Sequence, residues 1–161
     1  MDSNLPSTRN QNYTSCNFPI IRYADVLLMA AEADLQVNNG TPSAEAVEYY
    51  NLVRRRAYGF NPTTSSTKDV STFTMQDIID ERSRELCFEG LRRSDLLRWG
   101  IMPKVMQDLF TENSTIAPTS YVVASTTAAK NYLLNPTKYS LLPIPNSEIR
   151  LANLLVQNSG W

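Results

Sequence analysis

Between Glu81 and Trp99, nine of nineteen residues are charged, five arginines against four acids, and large apolar groups are interspersed among them. On a helix at about 100° per residue, Glu81, Glu85, Glu89, Arg92 and Asp95 share a face with Phe88, Leu96 and Trp99. A solvated face does not carry that apolar set. The pattern therefore predicts charges held partly inside, each matched to a partner, because a buried unpaired charge is very costly. Arginine suits such a place, since it stays protonated and grips a carboxylate through two parallel hydrogen bonds. The expected result is a structural ionic network of Glu81, Arg82, Glu85, Glu89, Arg92, Asp95 and Arg98, orienting helices around Phe88 and Trp99.

The remaining composition narrows function by exclusion. A chain of 161 residues, 42% hydrophobic, is long enough for one ordinary domain with a real core. A net charge of −1 gives no global field toward nucleic acid or an anionic membrane. The run Arg54-Arg55-Arg56 reads as a helix end with cations near the C-terminal dipole. The chain has no histidine, which removes a Ser-His-Asp triad, a Cys-His pair, a histidine zinc site and a facial iron triad together. Cys16 and Cys87 lie far apart without metal-ligand spacing, and Cys87, inside the dense helical stretch, is expected as a buried free thiol. No catalytic, metal-binding or cofactor-binding set is assigned. The longest membrane candidate, Val26 to Ala31, is short and flanked by Asp25 and Glu32. Residues 1–18 read as a polar segment of the composition that stays disordered, without the basic and apolar regions of a secretion signal.

Periodicity predicts a mainly α fold. Pro19 is placed to open a helix in which Ala24, Leu27, Leu28, Ala31 and Leu35 form the buried stripe, with Asn38-Asn39-Gly40 as the stop. Thr41-Pro42 opens a second helix with buried Ala46, Tyr50, Val53 and Ala57, ended by Gly59, and the two read as an antiparallel pair. Asn61 to Ser71 is a polar loop. Thr74 and Asp77 fit a capping-box start for a third helix through Ile78, Ile79 and Leu86, with Gly90 as a stop, a kink or a place of close packing. A further helix is expected from Pro103 to Phe110. Thr111 to Asn131 reads as loop with a short strand at Tyr121-Val122-Val123, Tyr139 to Pro145 as extended, Ser147 to Leu151 as one helical turn, and the tail from Val156 as irregular.

Sharper readings have bland competitors. Glu81, Glu85 and Glu89 could pass for glycosidase carboxylates, but the crowded arginines would hold them ionised, the opposite of what a general acid needs. Trp99 is expected in the core. Trp161 has docking and exposure equally open, as have Tyr49 and Tyr58. Asn4, Asn10, Asn12 and the Ser/Thr-rich segment Thr111 to Thr127 could hydrogen-bond a ligand, with solvated loop as the default.

Four segments, in order, resemble the C-terminal region of the SusD/RagB family. They are Pro19 to Ala33, then Asn51 to Ala57, then Glu81 to Gly100 (above all Glu85-Leu86, Phe88-Glu89-Gly90, Asp95-Leu96 and Arg98-Trp99), and finally Leu142-Pro143-Ile144-Pro145 with Glu148-Ile149 and Gln157 to Trp161. The resemblance covers residues 19–161, read as the helical domain. It implies tetratricopeptide-like helix pairs with long irregular loops and an extended C-terminal tail. It further implies a non-enzymatic, surface-exposed outer-membrane lipoprotein that binds an oligosaccharide or other nutrient and delivers it to a TonB-dependent transporter. The signal and lipid anchor would belong to the full-length protein. The family's glycan site draws mainly on other regions, so no ligand-binding residue is carried over. The alternative is a free-standing helix-pair interaction module; a hydrolase built on the Glu81 to Asp95 carboxylates is a weaker third reading. If the chain is cut from a larger protein, the helix from Pro19 to Asn38 is expected to expose apolar surface.

Overall fold

The computed structural model describes residues 19–152 and 154–161. The polar segment 1–18, with Asn4, Asn10, Asn12 and Cys16, lies outside the described residues. Eight α-helices and no strand occur among those described: α1 Tyr23–Val37, α2 Ala44–Ala57, α3 Met75–Glu85, α4 Arg92–Arg98, α5 Met102–Asn113, α6 Ser120–Leu134, α7 Pro136–Ser140 and α8 Asn146–Leu151. The chain divides into two units, one ending at Cys87 and the other spanning Phe88–Trp161.

In the first unit α1 packs on α2 and on α3. The expected stripe of α1 is the buried one, with Leu28 and Ala31 fully inaccessible and Ala24, Leu27 and Leu35 nearly so. α1 begins at Tyr23 rather than at Pro19, and no side chain caps it. The start of α2 is fixed by Ser43, whose hydroxyl accepts from the Ala46 amide. The amide and hydroxyl of Ser43 both donate to Asp34 at 2.8 Å. That single carboxylate therefore closes the α1–α2 turn, and the Ser43 amide holds its pKa below the usual carboxylate range. From α2, Ala46, Tyr50 and Val53 are buried as expected, whereas Ala57 is exposed where the helix ends. Phe73 stacks on Tyr50 with ring centroids 4.9 Å apart, closing the core from the loop side. The Thr74–Asp77 capping box opens α3, with both reciprocal bonds made.

The helix does not run on from Glu85 to Trp99. Leu86 ends α3, Phe88 adopts a left-handed φ of 67° and Gly90 one of 80°. The helical series of acids therefore stops at Glu85, and the expected common face of Glu81 to Trp99 does not exist. Phe88, expected on the shared face around which the helices orient, is 99% exposed, and Cys87, expected buried, is an exposed free thiol. The cause is local: a left-handed residue after the helix end swings the next side chains off the helical face.

In the second unit Leu96, Met102 and Tyr132 form the core, flanked by Leu97, Ile101, Val105, Met106 and Tyr139. α5 packs on α6. The segment expected as loop and strand is thus mostly helix. Thr119 caps α6 by accepting from the Val122 amide. Within α6, Thr126 and Ser125 donate to the Val122 carbonyl and Thr127 to that of Val123. Ser and Thr weaken intrinsic helix propensity through such bonds, so packing supplies what propensity lacks, with Ala129 fully inaccessible. Tyr139 and Ser140, expected extended, close the short α7, and Leu141 onward is extended. The tail holds this extended run. The Gln157 amide pairs with both backbone groups of Ile144 at 2.8 and 2.9 Å, and Asn158 donates to the Leu142 carbonyl. The Trp161 indole N–H donates to Lys138 and Leu141 carbonyls while about half of the residue stays accessible, so it is docked and exposed at once. Gly160, at φ 90°, brings its backbone so near Lys138 that a Cβ there would lie 2.9 Å from the Lys138 Cβ.

Leu28→Ala should lower stability by about 3 kcal/mol, the cost of a cavity in a closed helix pair. Chemical denaturation followed by circular dichroism checks this; a loss below about 1 kcal/mol would mean that the α1–α2 core is loosely packed.

Candidate functional site

Glu81, Arg82 and Glu85 of α3 face the two preceding helices. Arg82 donates to Asp25 of α1 at 2.7 Å, with both side chains buried. Glu85, the last residue of α3, takes Arg22 at 2.9 Å and Arg56 of α2, and a second Arg22 nitrogen donates to the Glu85 carbonyl at 2.8 Å. Glu81 pairs with Arg84 at 2.7 Å and lies 3.6 Å from Arg54 of α2. α3 is therefore tied to α1 through Asp25 and Arg22 and to α2 through Arg54 and Arg56. In the second unit Arg98 donates to the buried Asp95 at 2.9 Å and lays its guanidinium over the Trp99 ring at 4.4 Å. Trp99 is half-buried rather than in the core. Glu89 and Arg92 are half-buried, outside α3, with α4 starting at Arg92.

A second charged cluster escaped the sequence reading. Arg55, nearly fully buried, spans Glu48 at 2.7 Å and Asp69 at 2.6 Å, and donates to the Pro62 carbonyl. Beside it Asn51 pairs with both backbone groups of Val70 at 2.9 Å. Together they fasten the loop after α2 to the side of α2 opposite its apolar stripe. The Arg55 hydrogen bonds hold the Asp69 carboxyl well below the usual carboxylate range, and Asp69 and Glu48 push the Arg55 guanidinium further up. The usable signal was Glu48 and Arg55, seven residues apart on one helical face, with Asp69 in the polar loop that follows.

Concave regions of the first unit border these ion pairs. A groove of about 400 Å³ is lined by Tyr23, Ala24, Leu27, Leu52, Val53 and Pro62, with Arg22 and Arg56. A smaller one of about 250 Å³ is lined by Arg54, Ala57, Tyr58, Glu81, Arg84 and Glu85. The first offers apolar contact beside two cations that already hold Glu85. In the second, Tyr58 carries the cations of Arg54 and Lys68 near its ring. Glu81 and Glu85, the carboxylates of the hydrolase reading, are both engaged by arginines.

Removing one partner of a buried ion pair strands the other charge. Arg82→Met should therefore cost about 3–5 kcal/mol, and Asp25→Leu with Arg82→Met should recover most of that. A double-mutant cycle by urea denaturation checks it, and additive losses would mean that the pair is not coupled. Asp69 generates a pH prediction. Its folded pKa is lowered, so its stabilisation is complete above the ordinary value of about 4 and is lost as pH falls through the lowered value. Asp69→Asn should flatten the acid limb of urea midpoints measured from pH 7 to pH 3; an unchanged slope would exclude this origin.

The sequence and the helical fold have counterparts in known proteins. A model of the SusD family matches residues 1–161. The starch-binding protein SusD of Bacteroides thetaiotaomicron is 31% identical over 149 residues, covering 92% of this chain and 22% of that protein. SusD-like protein P2 of Formosa agariphila is 33% identical over 158 residues, covering 94% of this chain and 27% of that protein. SusD-like protein P25 of the same organism is 41% identical over 109 residues, 65% of this chain and 20% of that protein. The crystal structure of a SusD homolog from Bacteroides thetaiotaomicron superposes with a TM-score of 0.72 at 38% identity, over 88% of this chain and 26% of that one. The chain thus spans about a fifth to a quarter of the length of the curated relatives it matches. SusD-family proteins are non-catalytic binding proteins. By sequence along its full length, and by fold over most of it, this chain belongs to the SusD family.

Proposed function

We propose that this chain is a scaffold portion of a nutrient-binding outer-membrane lipoprotein that takes up a glycan at the cell surface and delivers it to a TonB-dependent transporter. The observation that carries this reading is the similarity over 149 residues to the starch-binding protein SusD. The mechanism is reversible binding and hand-over, with no bond made or broken. Residues 19–161 supply the helical framework, and the ligand contacts lie elsewhere in the longer protein. Within the framework, Glu81, Arg82, Glu85, Glu89, Arg92, Asp95 and Arg98 act as structural charges rather than as a ligand site. Support comes from the arginine partners of Glu81 and Glu85, which leave those carboxylates engaged within the protein. Among the described residues no helix is long and apolar enough to cross a membrane.

The test uses the full-length protein of which this chain is proposed to be a portion. Calorimetry against starch oligosaccharides and a wider glycan panel should give saturable binding, and affinity purification from outer membranes should bring down a barrel transporter. Binding should survive Glu81→Gln, because that carboxylate is assigned a structural part. Absence of binding across the panel together with absence of a barrel partner would overturn the reading.

A further inference from the structure

The loop that joins α2 to α3 carries a hollow of about 340 Å³ lined by Phe60, Asn61, Thr64, Ser65, Ser66 and Thr67. An aromatic ring, a carboxamide and hydroxyls line it, and no charged side chain does. Phe60 is 42% exposed, so part of its ring is open to a ligand. Among the described residues, the hydroxyls of Thr64, Ser65 and Thr67 take no hydrogen-bond partner within the protein. The loop is nevertheless held from behind. The Phe60 amide donates to the Arg55 carbonyl at 2.8 Å. The Thr63 amide and hydroxyl donate to Asn61 Oδ1 at 3.0 and 2.9 Å. The Ser66 hydroxyl donates to Asp69 at 2.8 Å, the same carboxylate that buried Arg55 grips, and Arg55 also holds the Pro62 carbonyl. Groups fixed before a ligand arrives lose less freedom on binding.

We infer that this hollow is a secondary contact for a neutral glycan, additional to the ligand contacts placed elsewhere in the longer protein. The chemistry selects that class. A pyranose ring has an apolar C–H face and a rim of hydroxyls that both donate and accept. Phe60 supplies a flat apolar face, and the surrounding hydroxyls and carboxamide match the rim. A carboxylate or sulfate would meet no cation in the lining, and the neighbouring Lys68 lies over the Tyr58 ring at 5.6 Å. An apolar ligand would take these hydroxyls from water without pairing them. The volume falls in the lower part of the range of small-molecule sites. The inference rests on the glycan-binding reading above and adds to it a contact within this chain. A second contact acts on polymers, because a chain long enough to reach both sites gains by avidity and a short oligosaccharide does not.

The test uses the full-length protein. Its retention is measured by electrophoresis through gels containing amylopectin, galactomannan or, as an acidic comparator, polygalacturonate. Calorimetry follows binding of short oligosaccharides of the same glycans. Phe60→Ala should weaken retention by a neutral polymer about tenfold and leave short-oligosaccharide affinity within about twofold. Phe60→Trp should keep the retention, since it preserves the aromatic face. Unchanged polymer retention in Phe60→Ala would overturn this inference and leave the glycan-binding reading standing. An equal fall for polymer and short oligosaccharide would also overturn it, by making Phe60 part of a single site or of the fold. Retention that depends on Phe60 with polygalacturonate alone would overturn the neutral class. A wild-type protein that binds no glycan of the panel would remove both readings.

Discussion

The buried pair of Asp25 and Arg82 sets the arrangement of the first unit. Two charges taken out of water are tolerable only in contact, so α1 and α3 can meet in just the register that brings these side chains together. Arg22 and Arg56 then fix the end of α3 by sharing Glu85, and Arg54 reaches toward Glu81 from α2. Apolar burial drives the helices together, since it has no direction of its own. The ion pairs decide which of the many apolar contacts is made.

The same device fastens the irregular parts. A loop without regular structure has backbone groups that must find partners. Asn51 supplies both for Val70, and the Gln157 side chain does the same for Ile144. Arg55 adds two carboxylates and a loop carbonyl. Side-chain amides and one arginine thus do for long loops what a sheet ladder does for strands. Charges engaged in this way are unavailable as a general acid or base, in keeping with a family of non-catalytic binding proteins.

The sequence was most legible where one periodic face met one core. The stripe of α1, the capping box of α3 and the polar loop after α2 could all be read directly, because each depends on residues within a few positions of one another. It misled at Cys87 and Phe88. A helix drawn through them is sound by pattern, yet Leu86 ends it and Phe88 turns left-handed, a conformation that a bulky non-glycine residue seldom adopts. It also misled in α6, where small and hydroxyl residues give no clear period and packing against α5 makes the helix.

The sequence by itself determined the helical class, the first helix pair and the family, since these reside in local periodicity and in an ordered set of motifs. Only the tertiary structure decided which arginine meets which acid. The chain holds fifteen cations and sixteen anions, and many pairings are compatible with their spacing. Burial selects among them, because an ion left unpaired in the interior costs several kcal/mol, about as much as a domain has to lose. It also decided that Arg55, on the side of α2 away from its apolar stripe, lies inside the protein. The loop that covers it returns from more than ten residues along the chain, a distance over which helical periodicity carries no information.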